Sequence, residues 1–157
     1  MNTEQSDSRK ATGMETSAGG IVYKKDGDQI FILVIKPARS NRSPEDPKWG
    51  FPKGHIGDHQ IGETDEQSAI REVREEGGVE ADIIERLGDI HYEIQDPKGN
   101  IPKTVTFFLM QYRKGDPSQH DHEVEIAEWL PIDQVMDRIF WPTDKEIFEK
   151  AYARLTN

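Results

Sequence analysis

Residues 63 to 79 constrain this chain more than any other stretch, because they set a full complement of helix start and stop signals around a crowd of carboxylates. Thr64 is suited to cap a helix, and Gln67 three residues on completes a capping box. Gly77-Gly78 supplies the stop, since glycine adopts the left-handed conformation that a helix C-terminus needs. At about 100° per residue, Glu72, Glu75 and Glu76 fall within about 100° of one another. Ile70 and Val73 lie on a different face, centred roughly 130° away, so the helix can bury one side and hold three acids together on another. Such grouping is unfavourable in itself. Like charges at these spacings repel, and the helix dipole disfavours negative charge near its C-terminal end. One explanation is a solvated acidic face, partly compensated by Arg71 and Arg74. The other is a site for a hard cation, whose preferred ligands are clustered carboxylate oxygens.

The rest of the chain reads as strands interrupted by a few helices. Two apolar runs, 17–24 and 29–36, flank Lys25-Asp26-Gly27-Asp28, a hairpin signal. Residues 37–48 hold three prolines and read as a long exposed loop, and Trp49-Gly50-Phe51-Pro52-Lys53-Gly54 as a compact punctuated segment. Long strands are expected at 79–95 and 101–113, joined through Asp96-Pro97-Lys98-Gly99-Asn100. In the second of these, Val105, Phe107 and Leu109 alternate with Thr104, Thr106 and Phe108. A strand near 125–130 and helices near 132–139 and 143–154 complete the pattern. No internal repeat is present. This order predicts a layered α/β domain over residues 16–157 with a mixed sheet, preceded by a polar, aperiodic and disordered tail at 1–15.

Charge narrows the partners. Thirty acidic residues against 20 basic ones leave a net charge of −10, which repels nucleic acid and equally repels a free polyphosphate. An anionic substrate therefore needs bound cations or a local Lys/Arg cluster. No apolar run approaches the roughly 20 residues that cross a membrane, and the polar stretch from Met1 to Thr16 lacks the apolar run expected of a secretory signal. With no cysteine there are neither disulfides nor thiolate metal sites, which fits a cytoplasmic protein.

At this point the helix becomes recognisable. Arg71-Glu72-Val73-x-Glu75-Glu76-x-Gly78-Val79, with Glu63 eight positions before Arg71, resembles the Nudix box, Gly-x5-Glu-x7-Arg-Glu-apolar-x-Glu-Glu-x-Gly-apolar. The resemblance implies an α/β/α sandwich that hydrolyses phosphoanhydrides with Mg²⁺, or Mn²⁺ in its place. It implies that Glu72, Glu75 and Glu76 bind the metal, that Arg71 holds them through ion pairs, and that Glu63 supports the helix start. One glycine carbonyl also faces the metal in family members. Gly57 has the literal spacing to Glu63, but the surrounding Pro52-Lys53-Gly54-His55-Ile56 matches the family better and favours Gly54. A further carboxylate comes from a loop outside the box. Glu123, just before the last strand, is the candidate here, with Glu125 second. The proton acceptor varies across the superfamily among such a loop acid, a box glutamate and hydroxide on the metal, so Glu123 and Glu72 both stand open. His55 and His59 read as exposed loop residues.

Beyond the box, much of 17–150 resembles the asymmetric diadenosine tetraphosphate hydrolases. The resemblance rests on Ser17-Ala18-Gly19-Gly20, Trp49–Gly54, Leu87–Tyr92, Lys103–Met110 and Asp144–Lys150. Lys53 and Lys103 are suited to grip phosphates, Tyr92 to stack on adenine, and Phe108 is a second aromatic candidate. For Tyr92 and Phe108 the competing explanation is sheet packing, and for Arg39 and Arg42 simple solubility. The expected substrate is thus a nucleoside polyphosphate, diadenosine tetraphosphate first. The alternatives are diphosphoinositol polyphosphates, nucleoside diphosphate sugars and capped or triphosphorylated RNA ends. A nucleotide-binding regulator on the same fold is disfavoured, because such proteins lose box carboxylates and this chain keeps them all.

Overall fold

The computed structural model describes residues 15–40, 45–57 and 62–157. Residues 1–14 of the expected tail, Arg42 and His59 lie outside the described residues, and Glu15, expected in the tail, opens the first strand. Strand β1, Glu15–Asp26, turns into β2, Gln29–Pro37. Asp26 pairs with Gln29, so the tight turn is Gly27-Asp28, and Gly27 takes the left-handed φ of 64° that such a hairpin requires. Helix α1 runs Asp65–Gly77. Strands β4, Val79–Ile94, and β5, Ile101–Gly115, form the long hairpin expected from the turn sequence between them. Strand β6 spans Val124–Pro131. A 3₁₀ turn, Ile132–Gln134, leads into a short α2, Val135–Arg138, where a single longer helix was expected. Helix α3, Pro142–Thr156, closes the chain.

One strand escaped the sequence reading. Lys53–His55 forms β3, in a segment too short and too rich in glycine and proline to show any periodicity. It pairs with β1 at Ser17, Ala18 and Gly19, while Gly50 bridges to Ile35 on β2. Strands β1 and β2 are partners only near their hairpin, and residues 49–55 fill the gap where they part. The sheet runs β4-β5-β1-β2-β6 with β3 beside β1. It is mixed, since β1 and β5 are parallel and the other pairs antiparallel.

Each face of this sheet is covered by helix. Ala69 and Val73 of α1 pack on Ala18, Val22, Leu33, Phe108 and Met110. Ile147, Phe148 and Ala151 of α3 pack on Ile21, Val34, Phe51, Val105, Phe107 and Leu109. The alternation along β5 decides this division, with odd residues facing α3 and even ones facing α1. The result is an α/β/α sandwich. Among the described residues no helix is long and apolar enough to cross a membrane.

Candidate active site

Helix α1 begins as its sequence dictates. Thr64 Oγ1 accepts from the Gln67 amide at 3.1 Å, and Gln67 Oε1 accepts from the Thr64 amide at 2.9 Å. At the other end Gly78, at φ 75°, caps the helix through its N–H to the Arg74 carbonyl. The helix is thereby fixed at both ends, so its acids hold set positions relative to the sheet edge.

Arg71 organises the first half of the site. Its Nε and Nη2 donate to the two oxygens of Glu63 at 2.8 and 2.9 Å, a two-pronged pair. Its Nη1 donates to Glu72 at 2.7 Å and Glu75 at 3.3 Å, and Nη2 also reaches the His55 carbonyl. The guanidinium side chain is 8% exposed and that of Glu63 5%, so this network is buried. Hydrogen bonds from Arg71, opposed by burial and aided by Ser68 and the Gly57 amide, hold Glu63 down to about 2. Gly57 therefore serves Glu63. Gly54 serves Glu72, because a Cβ at Gly54 would overlap the Glu72 carboxylate.

Glu76 sits in the opposite electrostatic situation. Burial pushes it up to about 8, and the charges of Glu72 and Asp121 push the same way. The Lys53 amide, donating at 3.0 Å, and the Lys53 ammonium offset only part of this. Burial alone would lower Lys53 as well. Tyr92, Glu76 and Asp144 outweigh that effect, and the ammonium is held above the ordinary lysine value.

Among the described residues no three His, Asp or Glu side chains converge closely enough to hold a metal ion as they stand. The bonds explain why: Glu72 Oε2 is directed to Arg71 and Glu76 Oε1 to the Lys53 amide. The three acids expected together do share one side of α1, but they are not gathered around a point. The donor set still suits a hard cation, being carboxylate oxygens beside a glycine whose missing side chain leaves room for one of them.

Lys53, Tyr92 and Lys103 all face α3. Lys53 pairs with Gly19, two residues before Ile21 of the α3-side core, and Lys103 pairs with Tyr92, which packs against that same core. The Lys53 ammonium interacts electrostatically with Tyr92. Phe108 is a correction. It is 3% exposed on the other face, packed under α1, because the alternation that turns Val105 and Phe107 toward α3 turns Phe108 away. His55 is exposed and bonds Glu15 at 2.8 Å. Arg39 is exposed and pairs with Asp46 at 3.5 Å.

Glu123 is exposed in the turn before β6, with its carbonyl accepting from the Ala38 amide and its own amide donating to Asp121. The loop acid whose charge acts on Glu76 is Asp121, two residues earlier, and the Asp121 amide donates to the Glu75 carbonyl at 2.8 Å. Asp144 is the other acid the sequence reading passed over. It is 3% exposed, lies in the first turn of α3, and its charge acts on Lys53. In sequence it looks like one more helix N-terminal acid, and only its burial beside Lys53 marks it.

A buried arginine pairing the acids of a capped helix, set against a split mixed sheet between two helical layers, defines a class of proteins. The NUDIX domain model matches residues 14–151, and the chain belongs to that family. Over 147 residues it is 37% identical to a candidate mutator protein, MutT4, of Mycobacterium tuberculosis, covering 91% of this chain and 56% of that protein. It is 35% identical to the 8-oxo-(d)GTP phosphatase of Mycolicibacterium smegmatis, covering 87% of this chain and 41% of that one. The chain thus spans about half the length of these two relatives. It is 27% identical to the asymmetrical bis(5'-nucleosyl)-tetraphosphatase of Sus scrofa, covering 93% and 95%. In fold it is similar to a Caenorhabditis elegans Ap4A hydrolase binary complex, with a TM-score of 0.70 over 90% of this chain and 98% of that one at 23% identity.

Proposed function

We propose that this chain hydrolyses a phosphoanhydride bond in nucleoside polyphosphates with Mg²⁺ or Mn²⁺, and that diadenosine tetraphosphate is its favoured substrate, cleaved to ATP and AMP. The observation that carries the reading is the double role of Lys53. Its amide donates to Glu76 while its ammonium interacts electrostatically with Tyr92, so one residue joins the acid helix to the face where Tyr92 and Lys103 stand. A polyphosphate gripped there lies beside the acids, in a protein whose overall charge would otherwise repel it.

In this reading Glu72, Glu75, Glu76 and the Gly54 carbonyl hold the cation, with Glu123 or its neighbour Asp121 contributing from the loop. When bound, the divalent ion neutralises phosphate charge and acidifies the attacking water. Arg71 keeps Glu72 and Glu75 oriented, Lys53 and Lys103 orient the phosphates, and Tyr92 stacks on a base. The proton acceptor in this reading is Glu72, Glu123 or hydroxide on the metal. The second reading, an oxidised purine nucleoside triphosphate as substrate, is favoured by one observation. The mycobacterial relative named for that activity is more similar in sequence than the porcine tetraphosphatase.

Incubation of both substrates with Mg²⁺ in ¹⁸O water separates these readings. The expected result is ATP and AMP from diadenosine tetraphosphate, with label in AMP and kcat/KM above that for 8-oxo-dGTP. Two ADP refutes the asymmetric geometry, and a higher kcat/KM for 8-oxo-dGTP moves the chain to the second reading.

A further inference from the structure

Ser17, near the start of β1, is 1% exposed, and its Oγ has no hydrogen-bond partner among the described residues. No other buried side-chain oxygen or nitrogen among those residues stands alone in this way. A hydroxyl taken out of water without a partner destabilises the folded state, and an alanine here would not have that cost. Its direction follows from the alternation along β1. Ile21 and Tyr23 lie in the α3-side core and Ala18 and Val22 under α1, so Ser17 faces α3.

The residues across from it share that face. Ser17 stands between Val105 of β5 and His55 of β3. Two residues before it, Glu15 pairs with Lys103, which pairs in turn with Tyr92. Two residues after it, Gly19 pairs with Lys53. A Cβ at Gly19 would overlap the Pro52 carbonyl oxygen, so the glycine is what lets β3 bring Lys53 this close. The hydroxyl is thus midway between the register positions of the two lysines, roughly 7 Å along the strand from each.

That setting selects the ligand. Glu15, the acid of this patch, is paired with His55 at 2.8 Å. Two ammonium groups and one hydroxyl proton call for a group with several acceptor oxygens in a row, which a phosphate chain supplies and a base or a cation does not. We propose that Ser17 is a substrate-contacting residue, its hydroxyl donating to an oxygen of the phosphate chain that Lys53 and Lys103 hold. This rests on the polyphosphate reading above. At 1% exposure the hydroxyl is reached only as a neighbouring side chain moves. Lys53 is that neighbour: its ammonium interacts with Tyr92 in the free protein and turns to the phosphates when substrate enters.

Ser17→Ala deletes one oxygen and tests this by kinetics and by melting. KM should rise about tenfold for diadenosine tetraphosphate and 8-oxo-dGTP alike, with kcat within about twofold of the wild type, because a phosphate contact serves ground and transition states equally. Without substrate the variant should melt at or above the wild-type temperature, since the unpartnered hydroxyl is gone. Calorimetry with inorganic tripolyphosphate and Mg²⁺ should show about tenfold weaker binding, a readout that needs no turnover. A folded variant whose KM and tripolyphosphate affinity both match the wild type overturns the contact and leaves the proposed reaction standing. A variant that melts well below the wild type makes the hydroxyl a structural group and overturns the contact as well. A wild type that turns over neither nucleotide, while the tripolyphosphate difference persists, overturns the reaction and keeps the contact.

Discussion

Replacing Glu76 with Gln removes one charge at nearly constant shape and keeps an oxygen for the Lys53 amide. In the folded chain, free of metal, burial raises this carboxyl to about 8 from an ordinary 4.5. A raised folded-state pKa gives stability that is complete below the unfolded value and lost as pH climbs through the folded one, here between about 4.5 and 8. At pH 7 the loss spans 2.5 pH units (7 minus 4.5), each worth about 1.4 kcal/mol, or roughly 3 kcal/mol. Water reaching this half-buried group reduces the figure to about 2 kcal/mol. Glutamine has no such loss. In chelator at pH 8, Glu76→Gln should therefore melt about 4–8 °C above the wild type, and near pH 4.5 the two should coincide. Thermal melts followed by circular dichroism at three pH values give the comparison. Added Mg²⁺ should stabilise the wild type and leave the variant nearly unchanged, while turnover of the variant falls at least about 100-fold. A melting difference that is the same at pH 4.5 and pH 8 refutes the burial argument. A folded variant that keeps most of its activity refutes the metal-ligand assignment.

Glu63→Gln should behave with the opposite sign: the folded-state value of about 2 means stability that is present above about 4.5 and lost as pH falls through 2. After solvent screening the contribution is about 2 kcal/mol at neutral pH, so denaturant titrations from pH 5 down to pH 2 should show the wild type losing that advantage over the variant. Parallel loss in both proteins sinks the idea. Gly54→Ala should displace Glu72 and abolish Mg²⁺ binding by calorimetry. Gly57→Ala, at φ 81°, should strain the loop by about 1 kcal/mol and keep the metal. The reverse pattern would assign the metal-side carbonyl to Gly57.

Helix α1 was legible in the sequence nearly to the residue, because capping boxes, glycine stops and the 3.6-residue period are local effects that survive without the rest of the chain. The same locality made the pairing of Val79–Ile94 with Ile101–Gly115 legible, and the two-faced alternation of β5. The box spacing named Arg71 and its acids, since their charges are set one helical turn apart by chemistry that leaves few substitutes.

Other features exist only through contacts between distant segments. Strand β3 is a strand because β1 lies beside it, and its own three residues carry no periodic signal. Asp121 and Asp144 look in sequence like any surface acid, and they matter only because a loop and a helix start bring them to Glu76 and Lys53. Phe108 could be assigned to the core only once the face of β5 under α1 was known. Most telling are Glu63 and Glu76, two glutamates of one motif whose affinities for a proton lie at opposite extremes, at about 2 and about 8. Sequence determines that both are carboxylates at fixed spacing. Whether each meets a guanidinium or a low-dielectric interior is decided by what the tertiary structure packs against it, because electrostatic energy depends on distance and burial, which the order of residues does not contain.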